Sequence, residues 1–296
     1  MRSVPFSRGA SAAGDEGVVT KLVWQILAVV AVGAVGGQSV TAVQDNPWLS
    51  LLLGGLTVAL SVFVYRWAVG HTERRPVVEL AREGARRSLF RGLVIGVAMF
   101  GAVIANIYFL GDYEVHGFGS VTGTIGLVGF MAGASVTEEL IFRGLLFRLV
   151  ERGLGTYIAL VLSGVLFGAA HLLNKDATLL GALAIAIEAG GMLAAAYAAT
   201  RTLWLPIGLH FGWNFAESGI FGTQVSGNGA THGLLDASTS GATLITGGEF
   251  GPEASVYSML FGILLTIAFL WLAHRRGTMV PRQRAERVST LATLAR

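Results

Sequence analysis

The chain has 296 residues, of which 53% are hydrophobic and only 13% are charged, and its mean hydropathy is +0.64. Soluble domains contain about a quarter charged residues, so this composition excludes a cytosolic enzyme or a disordered tail and predicts a membrane protein. The 41 glycines agree with that prediction, because small residues let membrane helices approach closely. The lack of cysteine excludes a disulfide framework, a thiolate zinc site and a cysteine nucleophile.

About eight apolar stretches have close to the ~20 residues that a helix needs to cross a bilayer. They lie at 20–43, 48–69, 89–111, 122–148, 156–174, 177–199, 203–221 and 255–274. The sequence therefore predicts an all-α polytopic membrane protein with about eight transmembrane helices in one bundle. The first stretch is interpreted as a retained span rather than a signal peptide, because acidic residues precede it and it has no clear cleavage site.

The charged residues predict how the bundle is oriented. The densest basic segment, 71–88, is expected to face the cytoplasm, because Arg and Lys accumulate in cytoplasmic loops. Within it, Pro76 is interpreted as the start of a short interfacial helix. Alternation from this segment places both termini in the cytoplasm and residues 222–254 outside. The excess of Arg over Lys indicates a bacterial source, so a bacterial plasma membrane is the expected location.

The chain divides into three parts in this interpretation. A cytoplasmic N-terminal segment covers 1–19, one helical domain covers 20–274, and a basic cytoplasmic tail covers 275–296. The outer segment 222–254 is rich in Gly, Ser and Thr, is long for a helix connection, and is interpreted as a mobile loop or lid with no evident catalytic residue. The tail is expected to bind membrane lipids and not nucleic acid, because it directly follows an apolar stretch.

A few ionisable side chains fall inside four consecutive apolar stretches. Such groups cost several kcal/mol each unless they are paired or hydrated, so each is a functional candidate by default. The polar residues of these stretches are Glu138, Glu139, Arg143, His171, Glu188, His210, Asn214 and Glu217. The roles of Glu188 and Glu217 stay open, with tuning of the site or substrate binding as the alternatives to a structural role.

Helical spacing assigns different tasks to the two adjacent glutamates. Residues four apart share a helix face, so Glu139 is expected to form an ion pair with Arg143, whereas Glu138 points elsewhere. His210 and Asn214 are also four apart and are expected to project into a common space. By the same spacing, the ring of Phe167 is expected to pack beside the imidazole four residues later.

A carboxylate, two histidines and an asparagine are the groups needed to hydrolyse an amide bond. Glu138, helped by His171, is expected to take a proton from a water molecule that attacks the scissile carbonyl. His210 and Asn214 are expected to donate hydrogen bonds to the developing oxyanion, where a dry site makes such donors effective. The substrate is expected to be a membrane-associated or hydrophobic polypeptide that arrives laterally or from the cytoplasmic side.

Three motifs on successive stretches resemble the CPBP intramembrane protease family. They are Glu-Glu-x-x-x-Arg at 138–143, Phe-x-x-x-His at 167–171 and His-x-x-x-Asn at 210–214. The family includes type II CAAX prenyl endopeptidases and bacterial proteins linked to bacteriocin processing or self-immunity. The resemblance covers roughly 122–221 and implies an endopeptidase that acts at the membrane.

The same resemblance implies roles for individual positions. It implies that the catalytic residues are Glu138, His171, His210 and Asn214, and that Glu139 and Arg143 support them. Members of the family are described both as metalloproteases and as metal-free glutamate-dependent proteases. The sequence favours the metal-free type, because it has no His-Glu-x-x-His and because Asn is a poor zinc ligand. If zinc is bound, Glu138, His171 and His210 are the expected ligands.

Two other functions fit the same residues. A catalytically idle scaffold or immunity protein would use the pocket only to bind a partner. A proton-coupled transporter would use Glu138 and the histidines as a proton relay, although the sequence lacks the paired halves typical of transporters.

Overall fold

A computed structural model describes residues 10–229 and 233–282 of the chain. The expected N-terminal segment 1–19 and basic tail 275–296 therefore lie partly outside the described residues, as do residues 230–232 of the expected outer loop. Helices account for 77% of the structure with almost no sheet, which confirms the predicted all-α class.

The described chain consists of helices that are joined by loops and two short strands. Helices α1 (Ala10–Ala42), α2 (Pro47–Glu73) and α3 (Ala85–Phe109) precede strand β1 (Tyr113–Phe118). They are followed by helices α4 (Val121–Leu154), α5 (Thr156–Leu173), α6 (Leu179–Thr200) and α7 (204–220). Strand β2 (Leu235–Thr239), three short helical turns and helix α8 (Val256–Arg275) complete the described chain.

Seven of the described helices, α1 to α6 and α8, are long and apolar enough to cross a membrane. The remaining predicted span, 203–221, is helical but short, with eleven α-helical residues followed by six π-helical ones. Most of its side chains are buried, including His210 and Trp213. This helix therefore lies in the interior of the bundle. Its burial explains why its sequence is apolar overall although it carries several polar groups.

Helices α3 and α7 pack backbone against backbone through four glycines. A Cβ atom on Gly208 would lie 2.1 Å from the carbonyl oxygen of Leu89, and one on Gly92 would lie 2.3 Å from that of Leu205. Gly96 and Gly212 make equally close approaches one turn further on. Only glycine allows this separation. The contact fixes the position of His210, which lies between the two glycines of α7.

Three helices contain a π-helical turn beside a polar residue. The turns cover Leu140–Phe147 in α4, Ala186–Gly191 in α6 and Phe215–Ile220 in α7. The first directly follows Glu139, the second contains Glu188 and the third directly follows Asn214. Such turns occur mainly at functional sites, because they release a backbone carbonyl and rotate the side chains that follow.

The connections before α4 and after α7 form one end of the bundle, called the loop end below (residues 111–120 and 222–254). There β1 and β2 form an antiparallel two-stranded sheet, with Tyr113 opposite Thr239. The segment 222–254 is expected to be a mobile loop or lid; in the structure, residues 223–227 and 250–254 are mostly buried, whereas residues 240–244 are exposed. Phe250 and Glu253 are buried, and Phe250 accepts a backbone hydrogen bond from Gly227.

The opposite end holds an ion-paired cluster, defined by Glu73, Arg75, Glu79, Arg148, Glu151 and Arg201. The expected interfacial helix near Pro76 is wrong: only Val78–Leu80 is helical, as a single 3-10 turn. The segment is drawn inward because buried Glu79 accepts hydrogen bonds from Arg75 at 2.7 Å and from the Tyr65 hydroxyl at 2.6 Å. Burial alone would raise the pKa of Glu79, but these bonds hold it below its ordinary value.

Candidate active site

Glu138 lies in the wall of a cavity of about 890 Å³ between the helices. The same cavity is lined by His171 from α5 and Asn214 from α7. The structure thus brings together three of the four residues expected to be catalytic. One oxygen of Glu138, Oε2, is buried without a hydrogen-bond partner among the described residues and lies on the side of His210, whereas the Glu138 side chain as a whole is 32% exposed and can therefore meet a water molecule or a substrate in the cavity.

The cavity extends to loops at the loop end. Its lining includes Ser120 before α4 and Ser226 and Asn228 in the segment 222–254. The charge pattern predicts that these loops lie on the outer side of the membrane. Entry of the substrate from the cytoplasmic side therefore conflicts with the predicted orientation. The geometry favours an approach from the loop end or from the side.

The adjacent glutamate, Glu139, is fully buried and joins two partners. Its Oε1 atom accepts a hydrogen bond from Nη1 of Arg143 at 2.7 Å and another from Nδ1 of His210 at 2.9 Å. The expected ion pair with Arg143 is therefore present, and the bond to His210 adds a second task that helical spacing did not predict. The guanidinium also donates to the carbonyl of Ala189 at 2.9 Å, in the π-helical turn of α6.

His210 has a defined orientation because of this bond. A carboxylate can only accept, so Nδ1 of His210 carries a hydrogen and Nε2 points away from Glu139. Nε2 lies 3.8 Å from Oε2 of Glu138. His210 is buried and does not belong to the cavity lining, unlike Asn214 on the same helix face. Helical spacing predicted that the two residues project into one space, but of the two only Asn214 lines the cavity.

His171 begins the 3-10 turn that ends α5. Its Nδ1 atom lies 2.8 Å from the carbonyl oxygen of Phe167 and must donate to it, since a carbonyl cannot donate. In the neutral ring, Nε2 then has a free lone pair. His171 thus presents a proton acceptor at the cavity wall.

Phe167 packs at the centre of the site. Its ring centroid lies 4.8 Å from that of His171 and 6.0 Å from that of His210. The guanidinium carbon of Arg143 lies 4.5 Å from the same centroid, a distance at which a cation is attracted to the ring face. The ring therefore separates and orients both imidazoles, and the expected packing against His171 is present.

Buried polar residues of the loop-end segment were missed by the sequence analysis. Ser226 lines the cavity and donates a hydrogen bond to Oε2 of Glu253 at 2.5 Å. Oε1 of Glu253 accepts from the Trp213 indole at 3.1 Å. Apart from the unusual length of the segment, no sequence signal marks these residues, because the bonds join positions far apart in the chain. Electrostatically, Glu253 acts on Glu188 and Glu217, the two carboxyl groups left unassigned by the motifs.

The described residues do not form a zinc site. The two histidines each bind an acceptor through Nδ1, an arrangement that would suit metal ligation through Nε2. However, no three His, Cys, Asp or Glu side chains of the described residues converge closely enough to hold a metal ion. The set Glu138, His171 and His210 thus does not fit a metal as placed in the structure.

Residues 120–216 match the family model described as Rce1-like, type II CAAX prenyl endopeptidase Rce1-like. This match confirms the resemblance to the CPBP family. It spans every motif residue from Glu138 to Asn214 and covers less than half of the chain. The type II CAAX endopeptidase match indicates a membrane protease, consistent with the seven apolar helices. Comparisons with curated proteins and with solved structures returned no match.

Proposed function

We propose that the protein is an intramembrane endopeptidase of the glutamate-dependent type, which hydrolyses peptide bonds of membrane-associated or hydrophobic polypeptides. The observation that carries the proposal is the shared cavity of Glu138, His171 and Asn214, in whose wall the Glu138 side chain is 32% exposed. The site lies among helices that are apolar enough for a bilayer, so its substrate is expected to reach it from the membrane or from the loop end.

Glu138 and His171 act on the water molecule. The partly exposed carboxylate of Glu138 and the Nε2 lone pair of His171 belong to the wall of one cavity and can accept hydrogen bonds from one water molecule there. Transfer of a water proton to these groups gives a hydroxide that attacks the scissile carbonyl carbon. The same proton then passes to the leaving amine as the C–N bond breaks.

Asn214 and His210 stabilise the oxyanion. The amide of Asn214 donates from the cavity wall. His210 can donate through Nε2 only as an imidazolium, because its Nδ1 hydrogen is already given to Glu139. The geometry supports this form, because an oxygen of Glu139 lies 2.9 Å from Nδ1 and an oxygen of Glu138 lies 3.8 Å from Nε2 of the same ring.

The location and partners follow from the same proposal. The protein resides in a bacterial plasma membrane with cytoplasmic termini, contacts lipids along its apolar helices and binds no nucleic acid. Exposed Arg82, Arg86 and Arg87 lie near the ion-paired cluster in the chain, in the segment expected to face the cytoplasm.

The test compares the wild type with Glu138→Gln in detergent, using a fluorogenic peptide library that includes farnesylated CAAX peptides. Glu114→Gln is the matched control, because Glu114 is an exposed glutamate on β1. We expect cleavage that survives a chelator, is lost in Glu138→Gln and is retained in Glu114→Gln. Loss with chelator and rescue by zinc would overturn the metal-free mechanism. If a well-folded wild type cleaves no peptide that Glu138→Gln spares, a scaffold or immunity protein would instead be favoured.

A further inference from the structure

A second cavity opens from the site toward the first two helices. This apolar slot has a volume of about 240 Å³ and lies between α1, α2 and α4. Its lining consists largely of glycines and small apolar residues, among them Gly33, Gly37, Val40, Gly133 and Ala134. No residue of the slot belongs to the three family motifs except Glu138, at which the slot ends.

The apolar slot adjoins the catalytic cavity. Val40, Phe130, Ala134 and Glu138 line both spaces. A polypeptide that places a scissile bond at Glu138 therefore has a side chain within reach of the slot opening.

The slot suits an apolar group. Its two hydroxyls are engaged elsewhere: Thr57 donates to the carbonyl of Leu53 at 2.8 Å, and Thr137 shares a hydrogen bond with Ser61 at 3.1 Å. Glu138 is the only charged residue in its lining. An apolar cavity of roughly 150 Å³ can bind a benzene ring, so a slot of about 240 Å³ accommodates a large aliphatic or aromatic side chain.

The glycines of α1 divide into two kinds. A Cβ atom on Gly36 would lie 2.2 Å from the side-chain oxygen of Thr57, and one on Gly33 would lie 2.4 Å from a methyl group of Thr137. These two glycines set the close packing of the helices. Gly37 differs, since a Cβ there would have no atom within 4 Å. The space beside Gly37 is therefore available for an occupant and is not required by helix packing.

We propose that the apolar slot is a specificity subsite, which binds a large hydrophobic side chain of the substrate residue next to the scissile bond. This inference rests on the proposed protease function. It names Gly37 as the residue that keeps the slot open, because Gly37 lines the slot and a large side chain there would occupy part of its space.

The experiment introduces Gly37→Leu and compares it with Gly55→Leu. Gly55 is a suitable control, because it lies on the exposed face of α2, has no atom within 4 Å of a built Cβ and does not line the slot. Each variant is assayed with peptides that carry either Ala or Phe at a position next to the scissile bond and are otherwise identical. Both positions that flank the bond are tested in this way. In Gly37→Leu we expect kcat/KM for the Phe peptide to fall about tenfold or more and that for the Ala peptide to change less than about twofold.

A binding measurement separates failure of the subsite from failure of the protease function. Fluorescence anisotropy of the same peptides on Glu138→Gln reports affinity without cleavage. We expect the Phe peptide to bind more tightly than the Ala peptide, and Glu138→Gln combined with Gly37→Leu to lose that difference. The subsite would be overturned if Gly37→Leu still binds the Phe peptide more tightly than the Ala peptide. It would also be overturned if both peptides lose affinity equally, as expected if a lipid chain occupies the slot. Absence of any Glu138-dependent cleavage, with the binding discrimination intact, would overturn only the protease function.

Discussion

The two polar clusters of the bundle differ in how their buried carboxylates are paired. In the ion-paired cluster, both oxygens of Glu73, Glu79 and Glu151 accept hydrogen bonds, mostly from arginines. In the candidate site, one oxygen of Glu138 and one of Glu139 have no hydrogen-bond partner among the described residues, and the same holds for both oxygens of Glu188.

This difference indicates that the ion-paired cluster contributes to stability, whereas the candidate site gives up stability for function. A buried polar atom without a partner costs about 1–3 kcal/mol, so a site that keeps several of them is less stable than the same fold with every group paired. Fully paired groups at the opposite end fix the loop between α2 and α3 to α4. Unpaired groups near Glu138 retain the capacity to bind water or substrate, which a saturated network has lost.

The largest expected effect comes from removing one arginine at each end. Arg143→Met leaves Glu139 buried without its cation, so we expect the unfolding free energy to fall by about 3–5 kcal/mol. Arg148→Met should cost less, because Glu73 is partly exposed and keeps its ion pair with Arg75 at 2.8 Å. Thermal unfolding in detergent measures both. Equal losses would show that the two clusters are energetically alike and would remove the contrast.

The second prediction concerns a variant that loses activity but keeps its stability. Asn214→Ala removes an oxyanion donor and should lower kcat by about 10²–10³-fold. Its unfolding temperature should stay close to that of the wild type, since the Asn214 side chain has no hydrogen bond to another of the described residues. Asn106→Ala is the control: that side chain donates only to the carbonyl of Ala102 at 2.8 Å on its own helix, so activity should be retained.

The third prediction makes the same change at both ends. Glu188→Leu removes a fully buried carboxyl group whose oxygens have no partner, so we expect stability to rise by about 1–2 kcal/mol. Glu79→Leu leaves Arg75 and the Tyr65 hydroxyl without their acceptor, so stability should fall. Opposite shifts in unfolding temperature are expected. A clear loss in Glu188→Leu would mean that this carboxylate is needed to balance Arg143.

The smallest effect is a pH dependence at the ion-paired cluster. Because the folded pKa of Glu79 lies below its ordinary value of 4.5, the unfolded state binds a proton more readily. Its contribution to stability is therefore complete above about pH 4.5 and is lost as the pH falls through the lower folded value. Unfolding temperatures of the wild type and Glu79→Gln should converge as the solution is acidified from pH 6 toward that range. Parallel curves would contradict the assignment.

Local patterns in the sequence were sufficient for the helices and for part of the site. Hydropathy places each span within a few residues of a helix, and helical spacing predicts the Glu139–Arg143 pair and the packing of Phe167 on His171. Both depend on residues within one helix. The wrong interfacial helix near Pro76 shows the limit, because Glu79 is drawn into a cluster with Tyr65 on α2 and Arg148 on α4, which belong to other helices.

The sequence by itself determined that the chain spans a membrane and that a few polar groups lie among its apolar helices, because the bilayer imposes length and composition on each span separately. Only the tertiary structure decided how these groups meet. The bond from His210 to Glu139 joins residues 71 positions apart, and close packing of glycines on α3 and α7 fixes that imidazole. The apolar slot likewise exists only because α1, α2 and α4 pack around it, and no pattern within one helix encodes a space between three.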